Sequence, residues 1–281
     1  MTYLPEDTAI PLHSPHCGDD GLHGLLEKIH KEGGWDLHNY KKASLRRRIA
    51  VRLHSHNISS CKDYHSILES NPSEYPRLLS TVTIKVSEFF RDPEVFDIIG
   101  KLICGESGTF SLPGLRVWSC GCARGEEAYS MGILLAGAAG IGNLRDVSIF
   151  ATDIDPRAID FARKGCYSED SMKNVDEAVR NAYFYKDGKG YKVREEIRHL
   201  IRFGALDIIK NMPLPKIDIL LCRNLLIYFE KESQRKVLEK LDFALKPGGI
   251  LVLGKAEVLP PSLSSNYREV VKGSRVHRKR S

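Results

Sequence analysis

Along the first hundred positions, apolar residues recur three and four apart. Leu22, Leu25, Leu26 and Ile29 share one helical face, as do Leu45, Ile49 and Leu53. Ser59 is placed to cap a helix running through Tyr64, Ile67 and Leu68. Asn71-Pro72 opens the next, with Tyr75, Leu78, Leu79 and Val82 inward. Asp92-Pro93 starts a further helix through Phe96 and Ile99. No strand pattern interrupts this stretch. After SLPG at 111–114 the periodicity changes. LRVWSC, VSIFATDID, LIRFGALDI, IDILLC and GILVLG are short apolar runs bounded by turn signals. EEAYSMGILLAGAA and PRAIDFARKG between them have helical spacing. Strands alternating with helices predict a parallel, doubly wound α/β sheet behind an all-α N-terminal domain. Between 165 and 200, KNVDEAVRNAYF has helical spacing and YKDGKGYKV reads as two short extended pieces, which predicts a small antiparallel insertion.

The expected boundaries are a loose leader over 1–18, a helical domain over 19–84 and the α/β domain over 85–281. The leader has neither the basic nor the apolar segment of a signal peptide. No apolar run approaches the roughly 18 residues that span a membrane. The seven cysteines (17, 61, 104, 120, 122, 166 and 222) are odd in number and scattered, and read as reduced cytoplasmic thiols. Nothing in the chain demands more than a monomer.

The net charge of +6 is unevenly spread. KKASLRRRIAVR at 41–52 holds six basic side chains and no acid, and the last ten residues, KGSRVHRKRS, hold five more. Such clusters suit an anionic partner. A solvated helix face is the other reading, and the residues leave both open.

The loop SCGCARGE follows the first predicted strand, where open α/β sheets bind ligands. Gly121 and Gly125 allow a tight turn and a close backbone approach. A dinucleotide fingerprint needs a third glycine, but Glu126-Glu127 stands there and would repel a diphosphate. A Walker loop is also absent. Two carboxylates at a helix start suit a cationic ligand instead, and S-adenosylmethionine carries both an ammonium and a sulfonium. The second strand ends ATDID, so Asp153, with Asp155 next in line, is placed to bind ribose hydroxyls. Cys120-x-Cys122 offers two ligands where zinc takes four, so both read as small residues packed beneath the loop and no metal is assigned. Cys222 reads as a buried strand residue.

SEFFRDP (87–93), WSCGCARGEEAYSM (118–131), ATDID (151–155), LLCRNLLIYFE (220–230) and LKPGGILVLG (245–254) together resemble the chemotaxis receptor glutamate methyltransferases, the CheR family. The likeness runs from about residue 20 to the end. It implies a class I, Rossmann-like methyltransferase domain with a small β insertion behind a helical module. It also implies methyl transfer from S-adenosylmethionine to receptor glutamates, leaving glutamate methyl esters and S-adenosylhomocysteine. By motif, Lys85, Ser87, Arg91, Glu126, Asp153, Asp207, Ile208, Asn224 and Leu225 would line the cofactor. A salt bridge with Asp92 or Glu94 is the other task open to Arg91. Lys41, Lys42, Arg46, Arg47, Arg48 and Arg52 would face the acidic cytoplasmic coiled coil of a methyl-accepting receptor. Arg223 and Tyr228 are candidates for positioning the acceptor carboxylate, or are structural.

The chain departs from the family at Lys85, where an Asn is usual, and at Gly254-Lys255-Ala256-Glu257, where the family tends towards G-H-S-E. The short insertion implies independence of a receptor-tail pentapeptide tether. Two other readings stay open. A nucleic acid methyltransferase is favoured by the basic helix and disfavoured by CRNLL, and a non-catalytic cofactor-sensing module is made conceivable by Lys85.

Overall fold

The computed structural model describes residues 17–104 and 110–280. The leader expected over 1–18 therefore lies, up to residue 16, outside the described residues. The chain divides into two units, Met1–Ile84 and Lys85–Ser281.

The first unit is helical: α1 (Asp19–Lys28), α2 (Lys42–Ser55), α3 (Cys61–Ser70) and α4 (Glu74–Val82). A π-helical turn, Ile29–Gly33, extends α1 and stops at Gly34, whose φ of 82° lies in the left-handed region. The predicted apolar faces meet in its core, with Leu25, Ile49, Leu53, Tyr64 and Leu78 fully buried. Ser60, not Ser59, caps α3, because its hydroxyl reaches the third amide of the helix, that of Asp63, at 3.1 Å. Cys17 and Cys61 are joined in a disulfide with Cα atoms 5.5 Å apart, which corrects the expectation that every cysteine is a reduced thiol. Forty-four positions separate the two, so local spacing gave no sign of the pairing.

The second unit opens with α5 (Pro93–Cys104), β1 (Arg116–Cys120), α6 (Glu126–Ala139), β2 (Ser148–Asp153) and α7 (Pro156–Lys164). The insertion follows as β3 (Cys166–Ser168), α8 (Glu177–Tyr183), β4 (Phe184–Asp187) and β5 (Gly190–Val193). Then come α9 (Glu195–Arg198), β6 (Ile201–Ala205), β7 (Ile217–Cys222), α10 (Lys231–Ala244), β8 (Leu245–Leu253), α11 (Pro261–Ser264), β9 (Tyr267–Glu269) and β10 (Val276–Lys279). The main sheet has the order β6-β2-β1-β7-β8-β10-β9. Its first five strands are parallel, and β10 runs antiparallel to β8 and β9. Strands such as IDILLC are apolar almost throughout because helices cover both faces of a parallel sheet. Helix α7 is specified locally at both ends. Asp155 caps it by accepting from Arg157 N at 2.8 Å, Pro156 takes the first position, and Gly165 closes it at a φ of 65°. YKDGKGYKV forms the β4–β5 hairpin, and β3 pairs with β5 on the other side.

The basic C-terminal run is partly structural. Val276 and His277 are buried in β10, and Lys279 Nζ donates to the Asp242 carbonyl at 2.6 Å. Among the described residues no helix is long and apolar enough to cross a membrane.

Candidate active site

Strand order reverses around β1, which has β2 on one side and β7 on the other. The loops leaving the carboxyl ends of β1, β2, β6 and β7 carry Gly121–Gly125, Asp155, Asp207 and Asn224, the place where an open parallel sheet holds a ligand. The β1 loop is anchored from below, since Gly121 N and Cys122 N both donate to the Thr152 carbonyl, at 2.8 and 2.9 Å. A Cβ on Gly121, which has a φ of 76°, would stand 2.9 Å from Leu225 Cδ2. One on Gly125, with a φ of 93°, would stand 2.8 Å from the Ala162 Cβ. Glycine is required at both. Cys122 within this loop, and Cys120 and Cys222 at the ends of β1 and β7, are all buried. Burial pushes the Cys122 thiol up, and a hydrogen bond with Cys120 together with burial does the same for Cys222, so both are protonated core residues.

Glu126 begins α6 and is 3% exposed. Burial pushes its carboxyl up to about 7, against a smaller opposing pull from its own backbone amide and the Ser87 hydroxyl. Among the described residues its Oε2 has no hydrogen-bond partner. Asp153, at the end of β2, accepts from Ala123 N at 2.9 Å and Asp155 N at 3.0 Å. Burial raises it as well, although Lys85 lies close enough to oppose this. Lys85 turns inward: its Nζ is 2.6 Å from Asp155 Oδ2, and Asp155 is fully buried. Desolvation lowers the Lys85 ammonium, with Asp155 pulling the other way.

The double Phe pins the segment that carries Ser87 and Arg91. Phe89 is fully buried, edge-on to Tyr167 and Phe184 at 4.8 and 5.2 Å between centroids. Phe90 N donates to Ser130 Oγ at 2.9 Å, and its ring packs edge-on against Phe96. Arg91 Nη1 donates to the Val86 carbonyl at 3.2 Å, while Asp92 is taken by other cations. Phe90, Asp92, Ala123 and Asn224 have φ values of 50°, 56°, 48° and 58°, so non-glycine residues in left-handed backbone gather around one site.

Arg223, a candidate for meeting the acceptor, has a side chain only 2% exposed, and both its terminal nitrogens are engaged within the protein. It bonds Asp92 Oδ2 and the Arg91 carbonyl, and lies 3.4 Å from Glu127 Oε2. Its guanidinium therefore ties the segment before α5 to the start of α6. Tyr228 is half-buried on a 3₁₀ turn, Leu226–Tyr228. The residue sequence reasoning missed is Glu257. It is 3% exposed, and its carboxylate accepts from Gly254 N at 2.7 Å, Asn224 N at 3.0 Å and Leu226 N at 2.7 Å. It thereby sets the Asn224-Leu225 loop. Its signal was the acid surviving in Gly-Lys-Ala-Glu, a segment read only as a departure. After β6, Asp207 Oδ1 accepts from Ile209 N at 2.9 Å, and Ile208 is buried.

In the first unit, α2 divides its cations. Lys41, Lys42 and Arg47 are exposed. Arg46 is half-buried and bonds Asp19, and Arg48 is half-buried. Arg52 is turned into the unit, bound to Glu74 through its Nη2 at 2.6 Å. There it neutralises a carboxylate that has no exposure at all.

Residues 85–276 match the CheR methyltransferase SAM-binding domain, and 20–83 match the CheR methyltransferase all-alpha domain. The chain belongs to the CheR methyltransferase family. It is 33% identical over 264 residues to a putative methyltransferase, Cher3, of Pseudomonas putida, covering 91% of this chain and 95% of that one. It is 30% identical over 242 residues to the chemotaxis protein methyltransferase of Escherichia coli, covering 83% and 82%. It also matches an uncharacterised 104.1 kDa protein of Rhodobacter capsulatus, 31% identical over 243 residues, where it accounts for 85% of this chain but only 26% of the larger one. The fold is thus an all-α domain followed by a Rossmann-like methyltransferase domain with a mixed sheet and a small antiparallel sheet. Its cofactor is S-adenosylmethionine. The site suits that cation, since a buried carboxylate with an unpartnered oxygen stands beside a glycine turn with no room for a Cβ.

Proposed function

We propose that this protein methylates glutamate side chains in the cytoplasmic coiled coil of methyl-accepting chemotaxis receptors, forming methyl esters that serve sensory adaptation. The observation that carries the reading is the buried, under-partnered Glu126 at the head of α6, in a chain whose relatives include chemotaxis protein methyltransferases. S-adenosylmethionine supplies an electrophilic methyl group on a sulfonium. Glu126 answers its positive charge, Asp153 takes the ribose hydroxyls, and Ser87, Arg91, Lys85, Asp207, Ile208, Asn224 and Leu225 line the remainder.

The acceptor needs little chemical help. A glutamate carboxylate, which ordinarily titrates between about 4 and 5, is already a nucleophile at neutral pH. Methylation then requires alignment and removal of water rather than a general base. Arg223 acts as a positioning residue through Asp92 and Glu127, and Tyr228 orients the acceptor. Lys41, Lys42, Arg46, Arg47 and Arg48 attract the acidic receptor helix, an attraction that weakens with salt. The three-stranded insertion is compact, and we infer that receptor docking does not depend on a pentapeptide tether; tight calorimetric binding of such a peptide would contradict this. The protein works in the cytoplasm as a monomer.

The test is transfer of tritiated methyl from S-adenosylmethionine to receptor cytoplasmic fragments. Base-labile release of the label as methanol is expected. Cofactor binding without transfer would indicate a sensing module, and label in nucleic acid would overturn the acceptor assignment.

A further inference from the structure

Within the first unit, three histidines and two carboxylates gather between α1 and the loop that precedes α2. His23, Glu27 and His30 stand four and three residues apart, on one face of α1 and its π-helical extension. His38 packs between the two histidines, with ring centroids 5.9 Å from His23 and 6.2 Å from His30. Ligand atoms of His23, Glu27 and His38 all lie within 4.8 Å of one another, and so do those of His30, Asp36 and His38.

The hydrogen bonds choose between these two groupings. Asp36 Oδ1 is 2.9 Å from His38 Nδ1 and also accepts the His38 backbone N–H at 3.1 Å. A carboxylate at Nδ1 fixes the proton there and leaves the lone pair on Nε2. This is the partner that a metal-binding imidazole ordinarily has behind it. His38 Nε2 is hidden from solvent and makes no hydrogen bond among the described residues, although Glu27 Oε1 lies 3.2 Å away. That nitrogen is therefore free to take an ion, and ligand atoms of Glu27 and His23 stand within 4.8 Å of it.

We propose that His23, Glu27 and His38 form a divalent transition-metal site, with Asp36 orienting His38. Two imidazoles and one carboxylate select zinc or cobalt over magnesium or calcium, which prefer all-oxygen shells. Three protein ligands leave a position for water. An ion there would clamp α1 to the loop 34–41, which leads into the basic helix α2. Neither the methyl-transfer chemistry nor the cofactor site uses any of these residues.

The test is a titration of the full chain, freed of metal by chelation, with Co²⁺ followed by visible absorption and then by Zn²⁺ competition. One Co²⁺ per chain is expected, displaced by Zn²⁺ and unaffected by excess Mg²⁺, with a higher melting temperature when loaded. His38→Gln and His23→Gln should each weaken binding by about tenfold or more, and Asp36→Asn by about 10- to 100-fold. His199→Gln, an exposed histidine of the second unit, should leave binding unchanged. His23 is exposed, so His23→Gln carries the test if His38→Gln disturbs the fold as judged by circular dichroism. Absence of saturable binding below millimolar metal would overturn the site, as would full affinity in His23→Gln.

Discussion

Two glutamates in this chain are buried to nearly the same extent and have opposite fates. Glu74, in the helical unit, has no exposed surface, yet it accepts from the Arg52 guanidinium, Tyr64 OH at 2.6 Å and His56 Nε2 at 3.0 Å. Burial alone would raise its carboxyl, but those hydrogen bonds outweigh it and hold it down at about 2. Glu126, in the methyltransferase unit, is 3% exposed and pushed up to about 7, with one oxygen unpartnered. The difference lies in which cost the fold has compensated internally. A carboxylate that holds helices together is surrounded by donors, whereas one that awaits a cation is desolvated and left short of them.

Removing the internal partner should have the largest effect. Glu74→Gln strands the Arg52 charge in the helical unit and should cost about 3–5 kcal/mol of that unit's stability, measured by denaturant unfolding with Trp35 as reporter. Glu126→Gln sharpens the contrast from the other side. Calorimetry should show cofactor affinity falling by about 1.5–3 kcal/mol, the range for a hydrogen bond to a charged group. The same variant, lacking its cofactor, should melt higher than wild type at pH 8, because an uncompensated buried charge is gone.

Gly254→Ala tests the loop clamp. A Cβ there would meet Glu257 Oε2 at 2.8 Å and Asn224 N at 2.9 Å, so a cost of about 1–3 kcal/mol is expected together with weaker cofactor binding. A variant as stable as wild type would mean that the clamp gives way freely.

The two glutamates should also impose opposite pH slopes. The folded value of Glu74 lies below its ordinary 4.5, so its contribution is complete above about 4.5 and is lost as pH falls towards 2. The folded value of Glu126 lies above 4.5, so the folded protein holds a proton that the unfolded chain has released. Stability therefore declines from this source as pH rises from 4.5 to about 7. Unfolding of Glu126→Gln and wild type across that range should show the second slope only in wild type.

Much of this was legible in the sequence because it is local. The period change after SLPG, the Gly121 and Gly125 turn and the Glu126-Glu127 pair each sit within a few residues of the feature they specify. What escaped reading joins distant segments. In the sequence Glu74 draws no reading and Arg52 groups with the receptor-facing cations, until the pairing of α2 with α4 brings them together. Glu257 lies 33 positions from the Asn224 amide that it holds. The β9–β10 hairpin was hidden because its strand Val276–Lys279 is rich in charge, yet it pairs on both sides. His23 and His38 carry no recognisable ligand spacing, and only the turn after α1 makes them neighbours.

The central claim is that Glu126 is held for a cation, and proton exchange on cofactor binding tests it most directly. With a value of about 7 in the free protein, binding of S-adenosylmethionine at pH 7 should release about half a proton per molecule, measured by calorimetry in buffers of different ionisation enthalpy. That release should vanish in Glu126→Gln. Binding at pH 7 with no proton released, or equal release and affinity in Glu126→Gln, would contradict the account.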